Sequence, residues 1–541
     1  MPARPVRLAD GEGVGVARAA EERGHDPPAQ RAREHLVLGG EQHHPADEDE
    51  PVTDRRATTI SGSDEMLASS PLDRAPVGRS PTAARSSTAA PSTYTSPMFI
   101  PMTPVCRRDA PGRRRPQADR SCHGGPMPES PTPPHALLSP PDQTAVAVIG
   151  AGAMGAGIAQ VAAQAGHPVI LVDAQPEAAE RAVAGLRATF DKLVAKGKVT
   201  REDADATLAR VTPHTTADMR TIPAVALVIE AVVEHLDVKR AIFRQLESAQ
   251  PSTTVLATNT SSLSIDDIVG EACSGHDAAL HGGTSPAMAH PERVLGLHFF
   301  NPPPLMRLVE VITGAASGAD VLDAASELVR RWGKTPVRCT STPGFIVNRV
   351  ARPFYGEAQR MVAEGLADPA TIDLALRGAG FRMGPFELTD LIGQDVNLAV
   401  GESVWRQTGE DPRYAPTDWQ RELVREGRLG RKTGRGVFEY ADGRPVDAEP
   451  DAALAEQLVG GPVQTDPVAR TLAMLVNEGV DLVHRGEASA EDVDTAMTLG
   501  TNYPHGPFAW LEQIGADTVR RQLAELDELY PGGRYRPSEA L

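Results

Sequence analysis

From Thr144 onward, short apolar runs alternate with longer amphipathic stretches. Residues 145–150 (AVAVIG) and 168–173 (PVILVD) are too short for buried helices and rich in β-branched side chains, so they predict buried strands. The same pattern predicts strands at 226–230 (ALVIE), 254–258 (TVLAT) and 294–298 (VLGLH), with helices between them, the first over 153–166. Strands alternating with helices imply a parallel sheet covered on both faces. After about residue 342 the strand signals stop and long helical patterns take over.

The helical part repeats itself. Gly-Pro-Phe at 384–386 returns at 506–508, followed at the same offset by Ile392-Gly393 and Ile514-Gly515. Upstream, Glu357 corresponds to Glu478 and Asp373 to Asp494, with an offset one residue shorter. Two copies of one helical domain explain this pattern.

The turn after the first strand reads Gly150-Ala-Gly152-Ala-Met-Gly155, and Asp173 closes the next strand 18 residues after Gly155. Glycines here permit a tight turn and close approach of a pyrophosphate, and the following helix N-terminus supplies N–H donors. Asp173 is placed to accept hydrogen bonds from a ribose and to repel a 2′-phosphate, which favours NAD over NADP. The fold class expected is therefore α/β: a doubly wound Rossmann-type domain, followed by two all-α domains. The boundaries are 1–140 for a disordered, low-complexity extension, 141–341 for the NAD-binding domain, 342–440 for the first helical domain, 441–464 for a linker and 465–541 for a degenerate second copy. Met127 offers an alternative start that would leave the upstream residues out of the native protein.

Composition narrows the class of function. A formal net charge of -18 argues against nucleic-acid and anionic-membrane binding, because phosphate would be repelled. No stretch is long and apolar enough to span a bilayer, and no signal-peptide core is present. The four cysteines (Cys106, Cys122, Cys273, Cys339) have no disulfide or zinc spacing, so no metal is expected and a reducing cytoplasm is.

The segment 298–310 (HFFNPPPLMRLVE) follows a predicted strand. His298 would stand at its carboxyl end, where open α/β sheets bind ligands. Oxidising an alcohol requires a base for the hydroxyl proton, and imidazole suits neutral pH. Glu310 could polarise it if the chain folds back. Taken alone, a histidine and a glutamate in such a segment also fit a purely structural role.

Five motifs stand in order: Gly150–Gly155 with Asp173; 259–263 (NTSSL); His298 through Asn301 with Glu310; 343–349 (PGFIVNR); and 384–387 (GPFE). Together they resemble the L-3-hydroxyacyl-CoA dehydrogenase family over about 144–440. The second helical copy resembles a repeat of that family's C-terminal domain. Tandem copies are similar to phenylacetate-pathway members, which handle a 3-hydroxyadipyl thioester. The resemblance implies NAD-dependent oxidation of an (S)-3-hydroxyacyl-CoA, in fatty-acid β-oxidation or phenylacetate catabolism. It makes His298 the general base, oriented by Glu310. Ser261 would hydrogen-bond the substrate oxygen, and Asn348 would hold the histidine and substrate. Glu234, Lys239, Asn301 and Lys432 match cofactor-contacting positions. Lys192, with Lys196 and Lys198, is a candidate for the CoA phosphates. For a carboxylate-bearing acyl tail, Arg349, Arg352 and Arg307 are the available cations.

Two departures from the family stand out. Residues 271–291 read as a loop insertion, whose His281 and His290 are expected at the surface. Ala469 occupies the place in the second copy that Asn348 holds in the first, so a second active site is not expected. The second copy is expected instead to mimic a dimer contact within one chain, or to take part in a homodimer. Two other functions remain compatible with these motifs: a sugar-acid (gulonate-type) dehydrogenase, and a non-catalytic NAD-binding structural protein.

Overall fold

The sheet has eight strands, and the expectation of a wholly parallel sheet is corrected at one edge. The computed structural model describes residues 135–270, 288–446 and 448–541. The strands are β1 (Val146–Ile149), β2 (Val169–Asp173), β3 (Val211–Thr215), β4 (Leu227–Glu230), β5 (Val255–Thr258), β6 (Val294–Phe299), β7 (Leu308–Thr313) and β8 (Thr335–Thr340). Their spatial order is β3-β2-β1-β4-β5-β6-β7-β8. β1 to β6 are parallel, β7 runs antiparallel to β6, and β8 runs parallel to β7. The sequence pattern missed β3, β7 and β8. β3 and β8 are outer strands with mixed burial, and a buried charge interrupts the apolar run of β7.

Helices α1 (Ala153–Gln164), α2 (Ala178–Ala195), α3 (Arg201–Ala209), α4 (Leu236–Ala249), α5 (Ile265–Val269) and α6 (Ala319–Arg331) belong to this domain. On one face, Val148, Leu297, Val309 and Val311 pack with Ile158 of α1 and Leu328 of α6. On the other, Val294, Leu308 and Ile312 join one continuous core with Phe345, Val347 and Phe354 of the helical part. Leu137 is fully buried among the first group, so folded structure begins before the expected boundary at 140.

The first helical copy contains α7 (Val347–Val350), α8 (Arg352–Ala363), α9 (Pro369–Gly378), α10 (Pro385–Ile392), α11 (Gln394–Gln407) and α12 (Asp418–Arg425). The expected linker is not featureless: it holds a small hairpin, whose strands are Tyr440–Ala441 and Arg444–Pro445, and helix α13 (Ala452–Leu458). Asp451 caps α13 by accepting the Leu454 N–H. The second copy consists of α14 (Pro467–His484), α15 (Ala490–Gly500), α16 (Pro507–Ile514) and α17 (Ala516–Leu529).

The repeated Gly-Pro-Phe has a local cause. Asp373 accepts the N–H groups of Phe386 and Glu387, and Asp494 accepts those of Phe508 and Ala509. Each aspartate thus satisfies the free donors at the start of α10 or α16. A Cβ on Gly384 would lie 2.1 Å from the Asp373 carboxyl carbon, and one on Gly506 would lie 2.3 Å from that of Asp494. Only glycine fits beneath either carboxylate.

The two copies meet through reciprocal ion pairs. Arg349 of the first binds Glu478 of the second at 2.5 Å, and Arg470 of the second binds Glu357 of the first at 2.8 Å. Glu357 and Glu478 are the equivalent glutamates of the repeat. Reciprocity of this kind characterises a two-fold interface, here contained in one chain. Among the described residues, no helix is long and apolar enough to cross a membrane.

Candidate active site

Gly150 leaves β1 with φ +102°, and its Cβ position is blocked by the Ala231 carbonyl oxygen at 2.5 Å. A Cβ on Gly155 would sit 1.7 Å from the Gly150 carbonyl oxygen, so this glycine lets α1 pack against the turn. At Gly152 nothing lies within 4 Å, and no side chain caps α1. The helix N-terminus is therefore open at the one glycine whose backbone a phosphate would need to approach. Asp173 Oδ2 accepts the Ala151 N–H at 2.7 Å, which fixes the carboxylate beside the loop. These residues fit a dinucleotide. Gly157, which drew no notice in the sequence, lets Pro303 reach α1: a Cβ there would lie 2.8 Å from Pro303 Cδ. The loop carrying Asn301, itself exposed, is thereby drawn toward the same helix.

A second group of residues holds the serine loop at the end of β5. Glu234 Oε1 accepts the Thr260 hydroxyl at 2.6 Å and the Ser261 and Ser262 N–H groups at 2.9 and 3.0 Å. Burial would raise this carboxyl, but the Lys239 ammonium and the loop donors outweigh it and hold it below its ordinary range. Lys239 is itself buried, with its Nζ 2.8 Å from Glu230 and 3.4 Å from Glu234. Glu230 also accepts the Thr258 hydroxyl at 2.7 Å. Glu234 and Lys239, expected at a cofactor surface, are thus engaged in supporting the loop that presents Ser261.

The chain does fold back to join His298 and Glu310. They are opposite partners in the antiparallel β6–β7 register, which places both side chains on the face toward the helical part. His298 Nδ1 lies 2.6 Å from Glu310 Oε2. Glu310 is fully buried, and its Oε1 accepts the N–H groups of Ile346 and Val347 at 3.0 and 2.9 Å. A carboxylate with every outward bond taken cannot rotate away, so it fixes the imidazole with its proton on Nδ1 and leaves Nε2 as an acceptor. Phe300 and Phe345 flank the ring, with centroids 4.6 and 5.9 Å away. Asn259 Oδ1 accepts the Phe299 N–H at 2.8 Å and ties the end of β6 to the serine loop. Asn259 opens the 259–263 motif, and nothing local in the sequence marks this bond.

The helical part closes over this group. Asn348 Nδ2 donates to the Ser261 carbonyl at 3.2 Å, and Gln407 Nε2 donates to the Ser262 carbonyl at 3.0 Å. Asn348 therefore grips the serine loop, and what the helical part gives the histidine is the amide pair that binds Glu310. Gln407 lay in no motif, and nothing local marked it.

Residues 145–342 match the family "3-hydroxyacyl-CoA dehydrogenase, NAD binding domain". Residues 344–440 and 467–541 both match "3-hydroxyacyl-CoA dehydrogenase, C-terminal domain". The chain belongs to the 3-hydroxyacyl-CoA dehydrogenase family. It is 42% identical to the "3-hydroxyadipyl-CoA dehydrogenase" of Escherichia coli (strain K12), over 73% of this chain and 96% of the relative. It is 37% identical to the human "Hydroxyacyl-coenzyme A dehydrogenase, mitochondrial", over 54% of this chain and 90% of the relative. The crystal structure titled "3-hydroxybutyryl-CoA dehydrogenase" from Escherichia coli K12 superposes with a TM-score of 0.63 at 41% identity, covering 73% of this chain and 97% of that one. This dehydrogenase is an NAD-dependent oxidoreductase, as its family is.

Other residues singled out in the dehydrogenase sequence lie apart from the His–Glu pair. Lys432 pairs with Asp395 at 2.6 Å, at the start of α11. Lys192 is exposed near the end of α2, as are Lys196 and Lys198 beyond it. Arg349 is buried under Glu478, Asp481 and Glu487 and has no capacity left for a ligand. His290 is exposed and faces Glu292, whereas His281 and residues 1–134 with Met127 lie outside the described residues. Cys339 is buried and free.

Proposed function

We propose that in this dehydrogenase His298 removes the 3-hydroxyl proton of an (S)-3-hydroxyacyl-CoA at Nε2, giving the 3-oxoacyl-CoA. The observation that carries this reading is the His298–Glu310 pair across β6 and β7, with the second carboxylate oxygen anchored by two backbone amides. Glu310 orients the ring and stabilises the imidazolium once the proton has moved. Ser261, presented by the Glu234-braced loop, binds the reacting oxygen, and Asn348 holds that loop while contacting the substrate. Gly150, Gly152 and Gly155 would hold the dinucleotide, with Asp173 receiving its ribose and Asn301 and Lys432 as further contacts. Bound NAD would supply the hydride acceptor. Glu234 and Lys239 serve the cofactor indirectly, through the serine loop. Lys192 meets the CoA phosphates. The second helical copy takes the part that a second subunit's helical domain would play, which the reciprocal Arg–Glu pairs support. The enzyme works in the cytoplasm, in keeping with four cysteines that lack disulfide or zinc spacing in the sequence.

The test is NADH formation from 3-hydroxybutyryl-CoA by wild type and His298→Ala, with NAD affinity measured on both. A base supplying roughly 10²- to 10⁴-fold acceleration should vanish with the imidazole while NAD still binds. Full turnover by the variant would remove His298 from the mechanism. No turnover by the wild type would discard the thioester reading.

A further inference from the structure

The carboxylate that holds His298 is anchored by a segment with an unusual backbone. Glu310 Oε1 accepts the N–H groups of Ile346 and Val347, and the chain reaches these residues through Gly344 and Phe345, both left-handed, at φ +79° and +49°. A phenylalanine rarely adopts that conformation, and a backbone of this kind persists only where its surroundings hold it. Phe345 also flanks the imidazole.

Much of what holds this segment comes from the second helical copy. The turn between α14 and α15 lies along β8: the Thr340 N–H donates to the Glu487 carbonyl at 2.9 Å, and Cys339 and Ala488 form an antiparallel bridge. The Glu487 side chain spans the segment. Its Oε2 accepts the Thr342 hydroxyl at 3.2 Å and also an N–H of Arg349. Val493, Ala496 and Met497 of α15 share one core with Leu308 of β7 and with Ile346 and Val347. Gly500 is the last residue of α15, and a Cβ there would lie 2.8 Å from Leu308 Cδ2 and 3.0 Å from Val347 Cγ2. The helix thus rests on a residue whose N–H holds Glu310, and on one two places before Glu310 on the same face of β7.

Neither feature is general to the repeat. Gly378 stands in the first copy where Gly500 stands in the second, six residues before each Gly-Pro-Phe, and nothing lies within 4 Å of its Cβ position. Leu366 stands where Glu487 does, after the matching glycines Gly365 and Gly486. With one NAD-binding domain, at 145–342, and two helical copies, the chain uses this surface of the second copy and leaves its counterpart at Gly378 open.

We infer that Glu487 and Gly500 are positioning residues for the dehydrogenase reaction. The second helical copy holds residues 342–349 in the conformation that presents two amides to Glu310, and through Glu310 it sets the orientation of His298. This rests on the base assignment above and adds to it. Close packing carries a displacement of the Val347 side chain to its own N–H, because no free space absorbs the shift. The glycine loop has its own partners in Ala231 and Asp173, so the effect falls on the chemical step rather than on NAD binding.

The experiment compares Glu487→Ala, Glu487→Gln, Gly500→Val and Gly378→Val in the full chain, with 3-hydroxybutyryl-CoA and NAD. Glu487→Ala removes the acceptor but leaves Arg349 with Glu478 and Asp481. It should lower kcat at least about tenfold, since a small misplacement of a catalytic group is this costly, with thioester KM and NAD affinity within about twofold of wild type. Glu487→Gln keeps an oxygen acceptor and should recover most of the rate. Gly500→Val should lower kcat likewise, whereas Gly378→Val should stay within about twofold. In a Glu310→Gln background, Glu487→Ala should cost no more than about twofold further, because the contact acts through Glu310. Wild-type kcat in folded Glu487→Ala overturns the inference, whether or not Gly500→Val folds. So does a loss confined to NAD affinity, or one as large in the Glu310→Gln background as in wild type. Full turnover by His298→Ala, or a wild type that binds NAD and leaves the thioester untouched, would remove the underlying base assignment instead.

Discussion

Replacing Glu310 with Gln keeps the shape of the side chain and reverses half of its hydrogen bonding. In the native protein one carboxylate oxygen accepts two backbone N–H groups and the other meets His298 Nδ1. The backbone donors of Ile346 and Val347 cannot change character, so they demand the oxygen of the new amide. Turned the other way, the amide NH₂ would face two buried donors, at about 1–3 kcal/mol for each group left unsatisfied. The NH₂ must therefore face His298, and Nδ1 must accept. The ring then carries its proton on Nε2, where it cannot take one from the substrate. The expected loss is roughly 10²- to 10⁴-fold in kcat, or about 3–5 kcal/mol at 1.36 kcal/mol per decade. NAD affinity should be unchanged, because Glu310 lies away from the glycine loop. Initial rates of NADH formation at saturating thioester, beside NAD titrations and circular dichroism, measure this. A folded variant within about threefold of wild-type kcat would refute the tautomer argument.

Two further outcomes follow from the geometry. Gly152→Ala should fold normally but bind NAD at least about tenfold more weakly, since its Cβ meets no protein atom and points into open space. Gly155→Ala should lower the melting temperature as well, because its Cβ would fall 1.7 Å from a carbonyl oxygen; equal melting temperatures for the two variants would contradict the assignment of roles. For Glu357, burial works to raise the carboxyl, but Arg534, Arg470 and Arg360 with the Tyr535 hydroxyl outweigh it and hold it down to about 2, against an ordinary 4.5. A depressed folded value means stability present above pH 4.5 and lost as pH falls toward 2, about 3 kcal/mol in all. Urea midpoints should therefore fall more steeply with acid for wild type than for Glu357→Gln, and parallel curves would rule out the glutamate as the source.

The legible parts of the molecule were those whose cause is local. The apolar runs at β1, β2, β4, β5 and β6 were readable because each strand buries consecutive residues. The glycine turn was readable because backbone clearance at Gly150 and Gly155 leaves no alternative residue. β7 was not, because its buried Glu310 breaks the apolar pattern and is tolerated only through partners from β6 and α7. Lys239 was expected, from the resemblance, at a cofactor-contacting position; the carboxylate of Glu230, at the end of β4, is what holds its buried ammonium.

The sequence by itself determined the change from alternating strands and helices to helices alone, the dinucleotide turn, the duplication of the helical domain and, through five motifs, the family. Each depends on backbone constraints or periodicities that act within a few residues. Only the tertiary structure decided that His298 and Glu310 are opposite partners across an antiparallel edge and that two amides of the helical part anchor that glutamate. Strand register and buried charge pairing are set by contacts between segments far apart in the chain. No local pattern encodes them, because the low-dielectric interior that makes those contacts decisive exists only once the segments have packed.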